Sequence, residues 1–111
     1  MIFEMNLHPE PFAEIKSGEK DIEMRLYDDR RKGIKIGDTI VFTNNETSEK
    51  LSVEVINLYR FNNFEELYQN FDKTRLGYKD NEIANPSDME KYYLKDSILR
   101  YGVLAIEIKL K

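Results

Sequence analysis

The stretch SGEKDIEMRLY, Ser17 to Tyr27, decides how the rest of the chain is read. After Gly18, five of the seven positions from Glu19 to Arg25 are ionisable. From Lys20 to Tyr27 the residues alternate, with Ile22, Met24 and Leu26 on one face and Asp21, Glu23, Arg25 and Tyr27 on the other. Successive strand side chains point to opposite sides of a sheet, so this period predicts a strand with a charged face. Glu23 and Arg25 share that face, close enough to pair and to hold the guanidinium fork at a fixed angle.

Working outward, Ile2 to Leu7 alternates Phe3, Met5 and Leu7 against Glu4 and Asn6, which predicts a half-buried strand. Pro9 or Pro11 then opens a short helix through Phe12 and Ile15, stopped by Gly18. On the C-terminal side, Gly37-Asp38 makes a turn before a β-rich strand, Thr39 to Thr43, and Asn44-Asn45 makes another. Leu51 to Phe61 reads as one long strand. Asn63 with Glu66 forms a capping box for a helix carrying Phe64, Leu67, Tyr68 and Phe71, and Ser87 with Glu90 repeats the device before Tyr92 and Tyr93. Gly102 releases a last strand, Val103 to Leu110. Five strands and two or three short helices, in an order that is not βαβ repetition, predict an α+β fold: a small mixed barrel with helices at its mouth or flank.

With 111 residues, no internal repeat and no Pro/Gly/Ser linker, the chain reads as one domain spanning 1–111. It has no cysteine, which removes disulfides and thiolate metal sites and makes a reducing cytoplasm the expected compartment. Glu4 interrupts the apolar N-terminus, so no signal peptide is expected there, and no apolar run is long enough for a membrane span. His8 is the only histidine, so neither a histidine metal cage nor a Ser-His-Asp triad is expected; His8 reads as an ordinary helix-entry residue. Phosphate-cradling glycine loops are missing too, and no cofactor is expected.

The net charge of −4 argues against a protein that coats nucleic acid by bulk electrostatics. Its distribution is uneven. Arg25 to Lys35 carries five basic residues against two acidic, and Phe61 to Glu90 three basic against seven acidic. The first segment reads either as solvated charge or as a local phosphate-gripping site in which Arg30, Arg31 and Lys32 contribute. Tyr59, Tyr92, Tyr93 and Tyr101 read as packing residues or as platforms on which a base stacks.

These residues together resemble the ASCH domain (activating-signal-cointegrator homology), a small β-barrel in the PUA-like superfamily. Its mark is Gly-x-Lys-x-x-Glu-x-Arg, here Gly18, Lys20, Glu23 and Arg25. IKIGDTIVF, FEELYQNF, Tyr92-Tyr93 and YGVLAIEI follow in the family's order. The family commonly has acidic residues just before the final Tyr-Gly, where this chain has Asp96-Ser97-Ile98-Leu99-Arg100. The resemblance implies a cleft beside the barrel, lined by the motif and suited to RNA or a modified nucleoside. Two functional classes follow from it. In a binding module, Lys20, Arg25, Arg30, Arg31 and Lys32 would grip phosphates while Tyr93 helps to hold a base. In a small hydrolase, similar to the N4-acetylcytidine amidohydrolases or to a ribonuclease, Lys20 and Glu23 would be catalytic. The amidohydrolase branch has threonine where this chain has Glu23, and its distal glutamate could be Glu65, Glu66 or Glu82. Binding therefore ranks above catalysis, and a protein-interaction role through Phe61 to Glu90 stays open.

Overall fold

A computed structural model describes residues 1–111. The elements run β1 (Ile2–Leu7), α1 (Pro9–Ser17), β2 (Ile22–Leu26), β3 (Thr39–Asn44), β4 (Lys50–Phe61), α2 (Phe64–Gln69), two 3-10 turns (Lys73–Leu76 and Pro86–Lys91), α3 (Lys95–Tyr101) and β5 (Val103–Leu110). The five strands form one curled sheet in the order β1-β3-β4-β5-β2, antiparallel except for β1 against β3. It is a half-barrel: β1 and β2 are its two edges, and no backbone ladder joins them. No helix is long and apolar enough to cross a membrane.

Apolar side chains pack on both faces of this sheet. Inside the curl, Leu104, Ile106 and Ile108 of β5 meet Ile40, Phe42, Val53 and Val55, with Phe12 and Ile15 of α1 covering them. On the other face Val103 and Ala105 join Ile22, Met24 and Leu26, covered by Phe64 and Leu67 of α2 and by Leu76, Met89 and Ile98. The division of β5 between its two faces follows the alternation of its sequence. In β4 it does not, because a bulge at Ile56 breaks the register with β5. Before the bulge Val53 and Val55 face the curl; after it Leu58 does, and Tyr59 and Phe61 turn to the other side. One extra residue inverts the parity of everything beyond it and bends the strand.

The helix ends follow local chemistry at Gly18 and Asn63 and depart from it at Ser87. Gly18 takes the left-handed conformation (φ 88°) that ends α1. The Asn63 side chain accepts from the Glu66 N–H, but Glu66 reaches back to the Asn62 N–H rather than to that of Asn63. The expected Ser87 cap is displaced: Asn85 caps the 3-10 turn, accepting from the Ser87 N–H at 3.0 Å and from its hydroxyl at 2.8 Å. An Asn two residues ahead can make this Asx turn, and it precedes Pro86.

Candidate functional site

The chain leaves α1 through Gly18, and the Lys20 N–H donates back to the Glu14 carbonyl. That turn lays the Lys20 side chain along the floor of a cleft, where it is only 5% exposed. Its Nζ donates to the Leu76 carbonyl at 3.0 Å and stands 3.5 Å from Glu23 Oε1. Arg25 takes the other carboxylate oxygen, with Nε and Nη2 at 2.8 and 2.7 Å from Glu23 Oε2. Nη2 also donates to the Asn6 carbonyl at 3.0 Å, so this guanidinium spans the seam between the two edge strands. Burial by itself would push the Glu23 pKa up, but Arg25 and Lys20 outweigh it and hold the carboxylate below its ordinary range. For Arg25, burial works against the charge, and Glu23 with the Tyr93 hydroxyl more than restores it. The motif is thus one carboxylate clamped between two cations.

Lys20 lies in the floor of the cleft, tied to the Leu76 carbonyl. Glu19 and Asp21 do not line the cleft; Glu23 stands 3.5 Å from the Lys20 amine, and Glu14, also in the lining, feels its charge. Asp21 precedes the regular strand, and its carboxylate turns away to Arg75, which also binds Glu107.

The cleft has a volume of about 590 Å³. Tyr93 stands over the charged floor, its ring parallel to Phe64 at 6.1 Å, and burial raises the pKa of its hydroxyl. A second wall is a hydrogen-bonded chain: the Tyr78 hydroxyl donates to Asp88 Oδ2 at 2.8 Å and lies 2.8 Å from the Tyr68 hydroxyl. Because the Tyr78 proton goes to Asp88, Tyr68 is the donor to Tyr78. Burial, then the bonds to Tyr68 and Asp88, raise the Tyr78 pKa strongly and keep its hydroxyl protonated. His8 and Tyr92 meet at the rim, ring centres 5.8 Å apart. Carboxylates outnumber cationic side chains by five to four along the lining, so the cleft is polarised rather than basic.

Arg31 reaches the cleft, held by Asp28 at 2.7 Å. Arg30 points into a separate pocket, and Lys32 lines neither, its amine 3.5 Å from Asp29. Tyr59 and Tyr101 pack on the far side of the sheet; Tyr92 and Tyr93 face the cleft. Of the three glutamates considered as a distal partner, Glu82 lines the cleft, whereas Glu65 and Glu66 do not and Glu66 is engaged at Asn62. Sequence reasoning missed Glu14, Tyr68, Tyr78 and Asp88. Only Glu14 carried a usable signal, being one helical turn before the motif glycine on α1. No group of three or more His, Asp or Glu side chains is arranged to hold a metal ion.

Among solved structures, the hypothetical protein PH0355 is similar over the full length of both chains, with 31% identity and a TM-score of 0.85. Protein PF0455 from Pyrococcus furiosus shares 32% identity over 99% of this chain and 97% of its own, with a TM-score of 0.77. The ASCH protein of Zymomonas mobilis has 14% identity and a TM-score of 0.68, over 97% of this chain and 66% of its own, which is a likeness of fold alone. No curated protein matches the sequence. The ASCH domain family model matches residues 5–111, and the chain belongs to the ASCH domain family.

Proposed function

We propose that this domain binds one nucleotide unit of RNA, or a modified nucleoside, in the cleft over Lys20, Glu23 and Arg25. The observation that carries the reading is the pairing of a donor-rich floor with an aromatic wall. The two clamped cations offer N–H groups to base or sugar oxygens, and Tyr93 offers a ring face. About 590 Å³ suits a small ligand, within the roughly 300–1,000 Å³ usual for such sites. The excess of carboxylates favours a ligand that also brings donors, such as ribose hydroxyls or an exocyclic amine, over a polyphosphate. Binding is preferred to catalysis because two fixed partners, the Leu76 carbonyl at 3.0 Å and Glu23 Oε1 at 3.5 Å, hold the Lys20 side chain in the cleft floor as a positioned donor with one further N–H for a ligand.

Hydrolysis of a modified nucleoside is the second reading, supported by Glu82 in the lining and by the raised pKa of Glu14, which burial and then Glu10 produce. Calorimetric titration with modified and unmodified nucleosides, short single strands and duplexes tests the first reading. Binding of nucleosides or single strands that is lost in Lys20→Met and in Tyr93→Ala is expected. Acetate release from N4-acetylcytidine that stops in Lys20→Met would instead favour the hydrolase. Binding of none of these ligands would reject both.

A further inference from the structure

The seam between β1 and β2 holds a second pocket of about 180 Å³, less than a third of the cleft's volume. Its walls are the edge of β1 from Phe3 to Asn6 and three arginines, Arg25, Arg30 and Arg31. Glu4 is the only carboxylate there. Asn6, Arg25 and Arg31 line both cavities and so belong to the partition between them. Arg25 and Arg31 are each held by a carboxylate from behind, Glu23 and Asp28. Arg30 pairs with no carboxylate, leaving its charge uncommitted.

We infer that this seam pocket is a phosphate site, and that the ligand of the domain is a nucleotide whose base and sugar occupy the cleft while its phosphate passes the Arg25 partition. The inference rests on the nucleotide reading of the cleft. Its chemistry is separate. A guanidinium presents a planar fork of donors that matches a phosphate, and arginines fixed by a carboxylate behind them lose little freedom on binding. The pocket, about 180 Å³, has room for a phosphate group. Division of labour follows: the cleft, with its balanced charges, would recognise the nucleoside, and the arginine-rich seam would supply the anion site that the cleft lacks. Phosphate contacts fix position and carry no sequence information, so Arg30 would set affinity and register, not base preference.

Calorimetric titration at low salt can compare a nucleoside with its 5′-monophosphate, its 3′-monophosphate and a dinucleotide, on the wild type and on Arg30→Ala. A phosphorylated ligand should bind the wild type about tenfold or more tightly than the nucleoside. Arg30→Ala should erase that gain and leave nucleoside affinity unchanged. Which of the three phosphorylated ligands gains distinguishes a terminal phosphate from a phosphodiester. Nucleoside binding with no phosphate gain, or a gain untouched by Arg30→Ala, would overturn the inference and spare the cleft reading. Inorganic phosphate alone serves as the second probe. If it raised the wild-type melting temperature and not that of Arg30→Ala, while no nucleoside bound, the seam site would stand and the cleft reading would fall.

Discussion

Two arginine networks flank β2 and use the same chemistry for different ends. At Arg25 the guanidinium is 13% exposed and its carboxylate 6%, the pair lies at the floor of the cleft, and a second cation, Lys20, shares the same Glu23. At Arg75 the guanidinium is 34% exposed; it bridges Asp21 and Glu107, themselves 40% and 20% exposed, and joins the Lys73–Leu76 turn to the ends of β2 and β5. The second network closes on itself, two carboxylates around one cation. The first does the reverse, two cations around one carboxylate, and carries its surplus of positive charge into a cavity. Burial of surplus charge is poor construction if stability is the aim, which is the physical reason to read the first network as a site and the second as a stitch.

The largest expected effect comes from removing the carboxylate of the first network. Glu23→Gln leaves two buried cations with no counter-charge, and a loss of about 3–5 kcal/mol in unfolding free energy by urea titration is expected. The triple variant Lys20→Met, Glu23→Leu, Arg25→Met removes the whole cluster and should be less destabilised than Glu23→Gln alone, while binding nothing. The pH dependence has the same origin. The Glu23 pKa is depressed in the folded state below the ordinary 4.5, so it contributes stability that is fully present above that value. That contribution is lost as pH falls through the folded pKa. Wild type should lose stability on acidification in that window more steeply than Glu23→Gln, and parallel acid limbs in the two proteins would show that the clamp carries no such energy.

How far this contrast could be read from sequence depends on the range of the forces involved. The alternation of β2 and β5, the αL stop at Gly18 and the Glu23–Arg25 pairing are local, and the residues display them. The partner of Asp21 is 54 positions away, so nothing nearby could tell that it leaves the face it shares by parity with Glu23. The bulge at Ile56 is set by pairing with β5, and no glycine marks it. Helix α3 leaves no local signal: Ile98 is its single buried residue, Leu99 is 82% exposed, and Leu94 provides no side-chain cap, so neither apolar period nor capping signal exists. The degree to which the barrel closes has a related cause. Whether two edge strands join by a ladder or by a single guanidinium depends on how far the sheet curls, which no local pattern encodes.

A smaller effect tests how tightly the floor of the cleft is built. Gly77 lies beside the Lys20 side chain with φ +105°, and a Cβ there would stand 3.2 Å from both Lys20 Cδ and Glu14 Oε1. Gly77→Ala combines backbone strain with a push on two lining side chains, and a loss of about 1–3 kcal/mol is expected. Both side chains can shift by a few tenths of an ångström, so the fold should survive. The Lys20 amine would then leave its place over Leu76, and nucleoside affinity should fall more than stability alone accounts for, as titration at a temperature where the variant is fully folded would show. Unchanged affinity would mean that the position of Lys20 is not part of recognition.

The smallest effect belongs to the second network, and it is the one that can break the contrast. Arg75→Ala removes the bridge between Asp21 and Glu107, yet much of what holds these segments together is not the side chain. The Arg75 carbonyl accepts from the Asp21 N–H, the Asp21 carbonyl accepts from the Ile108 N–H, and Glu107 keeps the Tyr59 hydroxyl at 3.0 Å. What is lost is a pair of partly exposed ion pairs and a contact of the guanidinium with the Phe71 ring at 5.6 Å. Solvent screening leaves such pairs worth about 0.2–1 kcal/mol, and added salt should shrink the difference between variant and wild type. Nucleoside and nucleotide affinity should not change, because Arg75 lines neither cavity. A loss as large as that of Glu23→Gln, or a loss of binding, would show that the two networks act as one and that the division between site and stitch is wrong.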